Sequence, residues 1–351
     1  MSIVEDTRAY ESWLRRRCIV IDDDLAYKHE RMQRSPFIFL RATYYRWARR
    51  IETLCPQLKS APRTLCVGDI HLENFGTWRD ADGRWVWGVN DFDEAAVMPY
   101  AFDLVRLATS VQLAPKMKLD ASEIAEAILD GYREGISEPG PALLDDDEIW
   151  IRSYVGCSDQ CRRDFWDEID DLEAVDPPPL VRHRLMSSFP PGAGHTGFFR
   201  RVAGGGSLGR PRFVGVAEWR SGRVVREAKA LVPSAWHWAH RRKPGAHAFL
   251  YLATGLYRSP DPHLRIEDNF ILRRLAADTR KINLGKRTGD EIKRELLKAM
   301  GSDLASIHAA THGASSKIKV DLEARHAGWL KTASRIAATA NERDYDKWCR
   351  I

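Results

Sequence analysis

The sequence lacks the features of an exported or membrane-bound protein. Its first residues, MSIVEDTRAYESWLRRR, carry acids early and contain no apolar run, so we expect no signal peptide. Nowhere do about 18 uncharged apolar residues follow one another, as a membrane-spanning helix requires. The six cysteines are scattered along the chain, which without an export signal indicates reduced thiols. We therefore expect a cytoplasmic protein with no membrane partner.

The chain also has little excess of either charge and no internal repeat. Its 54 basic and 49 acidic residues leave a net charge of +5. This excess permits an anionic ligand but does not indicate a nucleic-acid partner. Apolar residues make up 44% of the chain and charged residues 29%, which excludes wholesale disorder and fibrous structure. The length of 351 residues suggests about two domains.

Helical and strand patterns alternate along the chain in large blocks. Apolar spacing predicts helices within 6–60, 100–136, 234–256 and 288–345, and strands within 63–92, 198–231 and 263–277. Ser35 and Pro36 are typical of the start of a helix. Asp80-Ala81-Asp82-Gly83 predicts the turn of a hairpin. Asp176-Pro177-Pro178-Pro179 is the clearest candidate for a linker.

Two polar loops on either side of the predicted hairpin form the first chemical motif. The loop V-G-D-I-H-L-E-N-F-G at 67–76 holds Asp69 and Asn74, and N-D-F-D-E at 90–94 holds Asp91. Phosphoryl transfer needs one carboxylate to orient the attacking hydroxyl, and a second carboxylate with an amide to hold magnesium. The two loops supply these groups in order. The alternative is that the same residues only shape turns.

A glycine-rich turn followed by a strand with a lysine forms the second motif. Gly204-Gly205-Gly206-Ser207-Leu208-Gly209 lies between two predicted strands, and Lys229 lies on the third. Such a turn lets backbone amides approach phosphates, which the lysine can also reach. No Gly-Lys-Ser/Thr follows the glycines, which excludes the P-loop of NTPases. The alternative is a flexible hairpin tip.

These stretches carry a resemblance to two protein groups. G-D-I-H-L-E-N-F-G and N-D-F-D-E-A look like the catalytic and magnesium loops of the aminoglycoside-phosphotransferase and protein-kinase superfamily. The whole chain more closely resembles the bacterial family called domain of unknown function 2252. The further matching stretches are Ser35–Arg41, F-D-L-V-R-L-A at 102–108, the glycine turn, E-A-K-A at 227–230 and N-E-R-D at 341–344.

The superfamily resemblance implies a role for each matching residue. Asp69 would be the catalytic carboxylate, assisted by Asn74, and Asp103 would support the catalytic loop from behind. Asn74 and Asp91 would be magnesium ligands, and Asp93 an auxiliary one. The residues that would bind the phosphates of ATP are Gly204, Gly205, Gly206, Ser207, Gly209 and Lys229.

The chain departs from the superfamily pattern in two respects. Kinases place the glycine loop and lysine before the catalytic loop, and here they follow it, which suggests a circular permutation. A kinase lysine is usually oriented by a glutamate on the next helix. Between Leu231 and Ile266 the only acid is Asp261, so Glu227 is the candidate substitute.

The resemblance implies a circularly permuted, two-lobed, kinase-like α+β fold. A helical catalytic lobe would span 1–190, a smaller antiparallel-sheet lobe 191–285, and C-terminal helices 286–351 would pack on the first lobe. The implied activity is transfer of a phosphate from ATP, with Mg²⁺, to a hydroxyl of a small molecule. The alternatives are a nucleotidyl (AMP) transferase and a nucleotide-binding pseudokinase that acts through a protein partner.

The remaining polar clusters have both structural and functional interpretations. His308 and His312 lie four residues apart on a predicted helix, and we expect surface histidines rather than a metal site. His71 either orients Asp69 or packs in the core. Basic residues at 41–50 and 237–243 either attract an anion or occupy solvated and C-terminal helix positions.

Overall fold

The computed structural model describes residues 1–146, 148–194, 196–243, 248–282 and 292–351. The helices are α1 (Ile3–Leu14), α2 (Asp22–Met32), α3 (Pro36–Ala42), α4 (Tyr44–Leu54), α5 (Tyr100–Gln112), α6 (Ala121–Ser137), α7 (Arg152–Val155), α8 (Asp159–Asp170), α9 (Pro179–Ser187), α10 (Ala235–Ala239), α11 (Phe249–Ala253), α12 (Arg294–Ala309), α13 (Ala314–Ala324) and α14 (Trp329–Trp348). The strands are β1 (Arg63–Cys66), β2 (Phe75–Arg79), β3 (Trp85–Val89), β4 (Ala96–Pro99), β5 (Ala142–Leu143), β6 (Glu173–Ala174), β7 (Thr196–Arg200), β8 (Arg212–Trp219), β9 (Gly222–Ala230), β10 (Arg265–Glu267) and β11 (Phe270–Leu275). This mixture of helices and antiparallel sheets is an α+β fold, as predicted.

Local sequence signals account for several element boundaries. The Ser35 hydroxyl accepts the Ile38 amide at the start of α3, where Pro36 is the first residue, as predicted. In the β2–β3 hairpin, Asp80 Oδ1 accepts the amides of Asp82 and Arg84. These bonds satisfy the turn backbone, and the predicted hairpin is confirmed.

Helices α5, α6, α12 and α14 surround the largest apolar core. Glycines allow α6 and α12 to approach each other closely. A Cβ atom at Gly131 would lie 1.8 Å from the Lys298 carbonyl oxygen, and one at Gly301 would lie 2.2 Å from that of Ile128. The two backbones are therefore in direct contact. Among the described residues, no helix combines the length and apolar character needed to cross a membrane.

The larger sheet has the strand order β10-β11-β9-β8-β7-β6. Its pairs are antiparallel, and the register places Lys229 between Arg212 and Ile271. Helix α9 packs on the sheet through Val181 and Leu185, and α8 packs through Ile169. Strand β6 and these two helices therefore lie with the sheet, although the sequence prediction placed everything up to residue 190 in the helical lobe.

The arginines of α4 connect three helices. Arg46 and Arg49 both bind Asp6 on α1, and Arg46 and Arg50 bind Asp344 on α14. With these partners, the three arginines are not merely a solvated helix face. Their ion pairs instead fix the first and last helices against α4.

Candidate functional site

One pocket lies between the sheet and the helical part, where segments distant in the chain converge. Its lining contains the predicted residues Asp69, Asn74, Asp91, Asp93, Gly204, Gly205, Gly206, Ser207 and Lys229. Tyr10, Lys28, Arg41, Ala42, Tyr44, Tyr45, His71, Glu94, Arg210 and Lys281 complete it. Gly209 lies outside the lining. Its φ of +92° ends the glycine turn, and its carbonyl accepts the Ile21 amide at 2.9 Å.

The loop that carries Asp69 is held from behind by Asp103. The two oxygens of the Asp103 carboxylate accept the amides of Val67 at 2.7 Å and Gly68 at 3.0 Å. Gly68 has a φ of +81°, and a Cβ atom there would lie 2.3 Å from the Glu94 carbonyl oxygen. Only glycine fits this position, where the two loops touch.

Asn74 joins the two loops through its amide. Its Nδ2 donates to the backbone carbonyls of Asp69 and Asp91, each at 3.1 Å. Two carbonyl acceptors fix the orientation of this amide. Oδ1 is buried and has no hydrogen-bond partner within the described part of the chain.

The carboxylate of Asp69 is paired with Arg106 of α5. Its Oδ1 accepts Nε of Arg106 at 3.0 Å and also the neighbouring NH2 group. Arg106 is fully buried, and its guanidinium lies 5.0 and 5.1 Å from the ring centres of Tyr44 and Trp47. Oδ2 lies toward the glycine turn, since a Cβ atom at Gly206 would be 3.3 Å from it. One oxygen of Asp69 is therefore fixed, and the other borders the pocket.

The side chain of Lys229 lies between two acids. Its Nζ is 3.2 and 3.3 Å from the carboxylate oxygens of Asp91, and 2.6 Å from Oδ2 of Asp93. Burial opposes ionisation of Asp91, but Lys229 and Lys281 outweigh it and hold the pKa of Asp91 well below its usual range. Burial and the neighbouring Asp91 charge raise the pKa of Asp93.

Glu227 is not the partner of Lys229 that the sequence analysis suggested. Its carboxylate is fully buried and binds Arg201 at 2.9 Å, Arg212 at 3.1 Å and Arg273 at 2.6 Å. Burial opposes its ionisation, yet the three guanidiniums hold the pKa of Glu227 well below its usual range. Lys229 is oriented by Asp91 and Asp93 instead.

Side chains from the N-terminal helices anchor the glycine turn over Asp69. Lys28 Nζ donates to the Gly206 carbonyl at 3.2 Å, and Arg31 donates to the Gly204 carbonyl at 3.0 Å. A Cβ atom at Gly206 would lie 3.0 Å from the Arg41 carbonyl oxygen. The turn is thus a fixed part of the pocket wall rather than a flexible hairpin tip.

The chain matches one known family over part of its length. Residues 18–150 match the family model described as "Uncharacterized protein conserved in bacteria (DUF2252)". This match supports the resemblance to that bacterial family. It includes Asp69, Asn74, Asp91 and Arg106, but not the glycine turn or Lys229. No curated protein and no solved structure matches the chain.

Several cations of the pocket are absent from the sequence prediction. Lys28 is buried, and burial lowers its pKa to about 8, whereas the Lys281 side chain is 39% exposed. Arg210 donates to Asp93 at 3.3 Å and to Glu94 at 3.0 Å. The sequence contains one sign of a special role for Arg106, which is that it interrupts an otherwise apolar run three residues after Asp103. Lys28, Arg210 and Lys281 lie outside any recognisable motif.

Two histidines near the loops are buried. His308 was expected at the surface, but it is fully buried, where it contacts Tyr132 OH at 2.7 Å and Asp103 Oδ2 at 3.1 Å. His312, four residues further along the chain, is exposed, as expected. The rings of His71 and Phe37 lie edge to face, and within the described part of the chain no hydrogen bond joins His71 to Asp69. Burial and the nearby Arg41 hold the pKa of His71 well below its usual range.

The oxygen donors near Asn74 are suited to a hard cation. Oδ1 of Asn74 and Oδ1 of Asp93 are both buried without a partner among the described residues. The carboxylate of Asp91 lines the same pocket. Carboxylate and amide oxygens are the protein ligands that Mg²⁺ prefers, so the residues present fit this ion.

Proposed function

We propose that the protein is an ATP- and Mg²⁺-dependent phosphotransferase that acts on a hydroxyl of a small molecule. The single observation that supports this is the convergence of four motifs on one pocket. The glycine turn, Lys229 and the two loops of Asp69 and Asp91 all line it, although more than a hundred residues separate Asp91 from the turn. Residues that only shape turns would not be expected to line one common pocket.

The charge of the pocket suits a polyphosphate. Five cations line it: Lys28, Arg41, Arg210, Lys229 and Lys281. Each is close to carboxylates or backbone carbonyls, and the glycine turn adds backbone that phosphates can approach closely. A triphosphate would bind Lys229 and replace part of its ion pairing with Asp91 and Asp93. A divalent cation would then neutralise the charge of these two acids.

Asn74, Asp91 and Asp93 are the residues that would hold Mg²⁺. When bound, the ion would supply charge neutralisation at the phosphate oxygens. The buried Asn74 Oδ1 and Asp93 Oδ1 would gain the partner that they lack in the protein alone.

Asp69 would act on the acceptor. Its Oδ1 is held by Arg106, and its Oδ2 would accept a hydrogen bond from the acceptor hydroxyl and orient it toward the γ-phosphorus. As the new P–O bond forms, the bond between the γ-phosphorus and the β,γ-bridging oxygen breaks, ADP leaves, and the hydroxyl proton passes to Asp69. We further propose that the fold is kinase-like and circularly permuted, with the sheet carrying the glycine turn above the helical part.

The decisive experiment measures thermal stability with ATP and Mg²⁺. At 100 times Kd, binding to the folded state alone stabilises by about 2.7 kcal/mol. Asp91→Ala should abolish the Mg²⁺-dependent part of the shift, whereas the exposed Asp130→Ala should keep it. An unchanged melting curve at millimolar MgATP would reject nucleotide binding.

Mass spectrometry of ATP incubated with protein and cell extract then identifies the reaction. ADP with a product heavier by one phosphate supports the phosphotransferase. Pyrophosphate with an adenylated product would reject the phosphotransferase and support a nucleotidyl transferase. Bound nucleotide without either product would reject the phosphotransferase and support a pseudokinase.

A further inference from the structure

A second pocket lies where the C-terminal ends of α1 and α10 meet. We call it the arginine pocket and define it by its lining: Trp13, Arg16, Arg17, Arg49, His237, Trp238, Arg241 and Arg242. It encloses about 620 Å³ of empty space, part of which is open to solvent. Its basic residues come from three separate segments of the chain: Arg16 and Arg17 after α1, Arg49 on α4, and residues 237–242.

Most of the positive charge of the arginine pocket has no acidic partner within the described part of the chain. No carboxylate is among its lining residues. Among the described residues, no acid lies within ion-pair distance of Arg16, Arg17, Arg241 or Arg242, while Arg49 binds Asp6. The other oxygen of Asp6 binds Arg46, so this acid offsets the charge of Arg49 but of none of the other four arginines. Like charges that face one concavity repel one another, and an anion would relieve that repulsion.

Helix dipoles explain only part of this arrangement. A cation at the end of α1 or α10 is favoured by the helix to which it belongs. That effect acts within one helix and does not bring two such ends together. Both ends, together with Arg49 of α4, face the same pocket.

Aromatic rings hold two of the guanidiniums. The guanidinium of Arg17 lies 5.5 Å from the ring centre of Trp13, and that of Arg49 lies 4.1 Å from the ring centre of Trp238. A guanidinium on a ring keeps its N–H edge for other partners and loses less conformational freedom on binding. Such an edge suits the paired oxygens of a phosphate.

We propose that the arginine pocket binds a small anion with two or more phosphate groups. Five guanidiniums exceed what one phosphate can occupy, because a bidentate pair uses one guanidinium for two phosphate oxygens. The site is distinct from the first pocket. Trp238 contacts Tyr10 edge to face, with ring centres 5.4 Å apart, and Tyr10 lines the first pocket on its other side. The proposal therefore does not depend on the phosphotransferase activity.

Calorimetric titration with tripolyphosphate, without Mg²⁺ and at low ionic strength, tests the proposal. The variant Arg241→Glu/Arg242→Glu reverses two exposed charges of the arginine pocket. The matched control, Arg335→Glu/Arg343→Glu, makes the same change of net charge at exposed positions of α14. Lys229→Ala reports on the first pocket. Circular dichroism spectra establish that each variant is folded.

We expect the arginine-pocket variant to bind tripolyphosphate about ten-fold more weakly or worse, since each charge-assisted bond contributes at least that factor. The control pair should bind as the wild type does, and Lys229→Ala should keep this binding even if the first pocket binds nothing. Equal weakening in both arginine pairs, or in neither, would overturn the proposal. So would a single-stranded oligonucleotide that binds through the same arginines more tightly than tripolyphosphate, because the surface would then serve nucleic acid.

Discussion

Asp69 is held by a guanidinium that has no contact with solvent. Arg106 is 0% exposed, so its charge is offset chiefly by Asp69 and by the carbonyl of Leu40. This arrangement fixes one oxygen of the carboxylate and fits a residue that orients an acceptor. The neutral, isosteric Asp69→Asn substitution tests that role.

We expect Asp69→Asn to keep nucleotide binding and to lose turnover by roughly 10²–10⁴-fold, the range for a positioned acid–base group. Binding is measured by the MgATP shift of the melting curve, and turnover by ADP release. Asp82→Asn, at an exposed position of the hairpin turn, is the matched control. Full activity in Asp69→Asn would remove the residue from the mechanism.

Glu227 is a fully buried acid that binds three arginines in the larger sheet. Glu227→Gln leaves Arg201, Arg212 and Arg273 around a neutral amide, and should reduce the free energy of unfolding by about 3–5 kcal/mol. Glu218→Gln, exposed on β8 of the same sheet, should change it little. Urea unfolding at neutral pH measures both, and a small loss in Glu227→Gln would contradict the assigned role.

The effect of Glu227 should depend on pH. The pKa of Glu227 is held well below its usual range in the folded protein, whereas the unfolded value is about 4.3. Its stabilisation is therefore complete above about pH 4.3 and is lost as the pH falls toward the folded pKa. The difference in stability between wild type and Glu227→Gln should shrink on acidification below about pH 4.

At the residue scale, motifs were predictable and long-range partners were not. Asn74 lies within a motif that local spacing marks out, whereas Asp103 of α5 could be placed behind that loop only through the superfamily resemblance. The burial of His308 could not be predicted, because an isolated histidine on a helix gives no sign of its hydrogen-bond partners, Tyr132 and Asp103. Of the three arginines around Glu227, Arg212 lies on β8, Arg273 lies on β11 and Arg201 directly follows β7, so the arrangement of the strands brings them together.

The crossing of α6 and α12 brings two helix backbones into direct contact. Gly131→Ala should destabilise the protein by about 3 kcal/mol, the upper end for overpacking, because the new Cβ would collide with the backbone of Lys298. Alanine has the higher helix propensity, so any net loss reflects crowding. Thermal unfolding measures it.

Gly140 supplies the control for this crossing. A Cβ atom there meets nothing within 4 Å, and its φ is not positive. Gly140→Ala should therefore change the stability by no more than about 0.5 kcal/mol. Equal effects at both glycines would mean that the two helices can separate without loss.

Elements were more predictable than their packing partners. The β2–β3 hairpin and the β7–β9 meander follow from turn residues and strand alternation, which are local. The packing of α8 and α9 on the sheet was missed because an amphipathic helix specifies an apolar face but not the element that covers it. Ile169 and Leu185 would suit either part of the protein equally well.

At the scale of the whole molecule, α2 joins the sheet to the helical part. Asp24 binds Arg200 of β7, Lys28 binds the glycine turn, and the Ile21 amide preceding α2 bonds the Gly209 carbonyl. Lys229 and Arg210 make further ion pairs across the first pocket. With so many links, we expect the two parts to unfold together.

Differential scanning calorimetry should therefore show one transition, whose calorimetric and van't Hoff enthalpies agree. Two resolved transitions would show that the sheet and the helical part are independent units. The sequence predicted the α+β class and the existence of two parts. It could not predict how tightly they are joined, because the linking residues belong to no motif.

The buried lysine of the first pocket, Lys28, couples ligand binding to proton uptake. Burial lowers the pKa of Lys28 to about 8, so near that pH it is charged in only about half of the free molecules. A bound polyphosphate favours the charged form of Lys28 and raises its pKa, which means that binding takes protons from the buffer. The measured heat should then vary with the ionisation enthalpy of the buffer. Affinity should weaken as the pH rises above about 8, since each proton must be taken up at increasing cost.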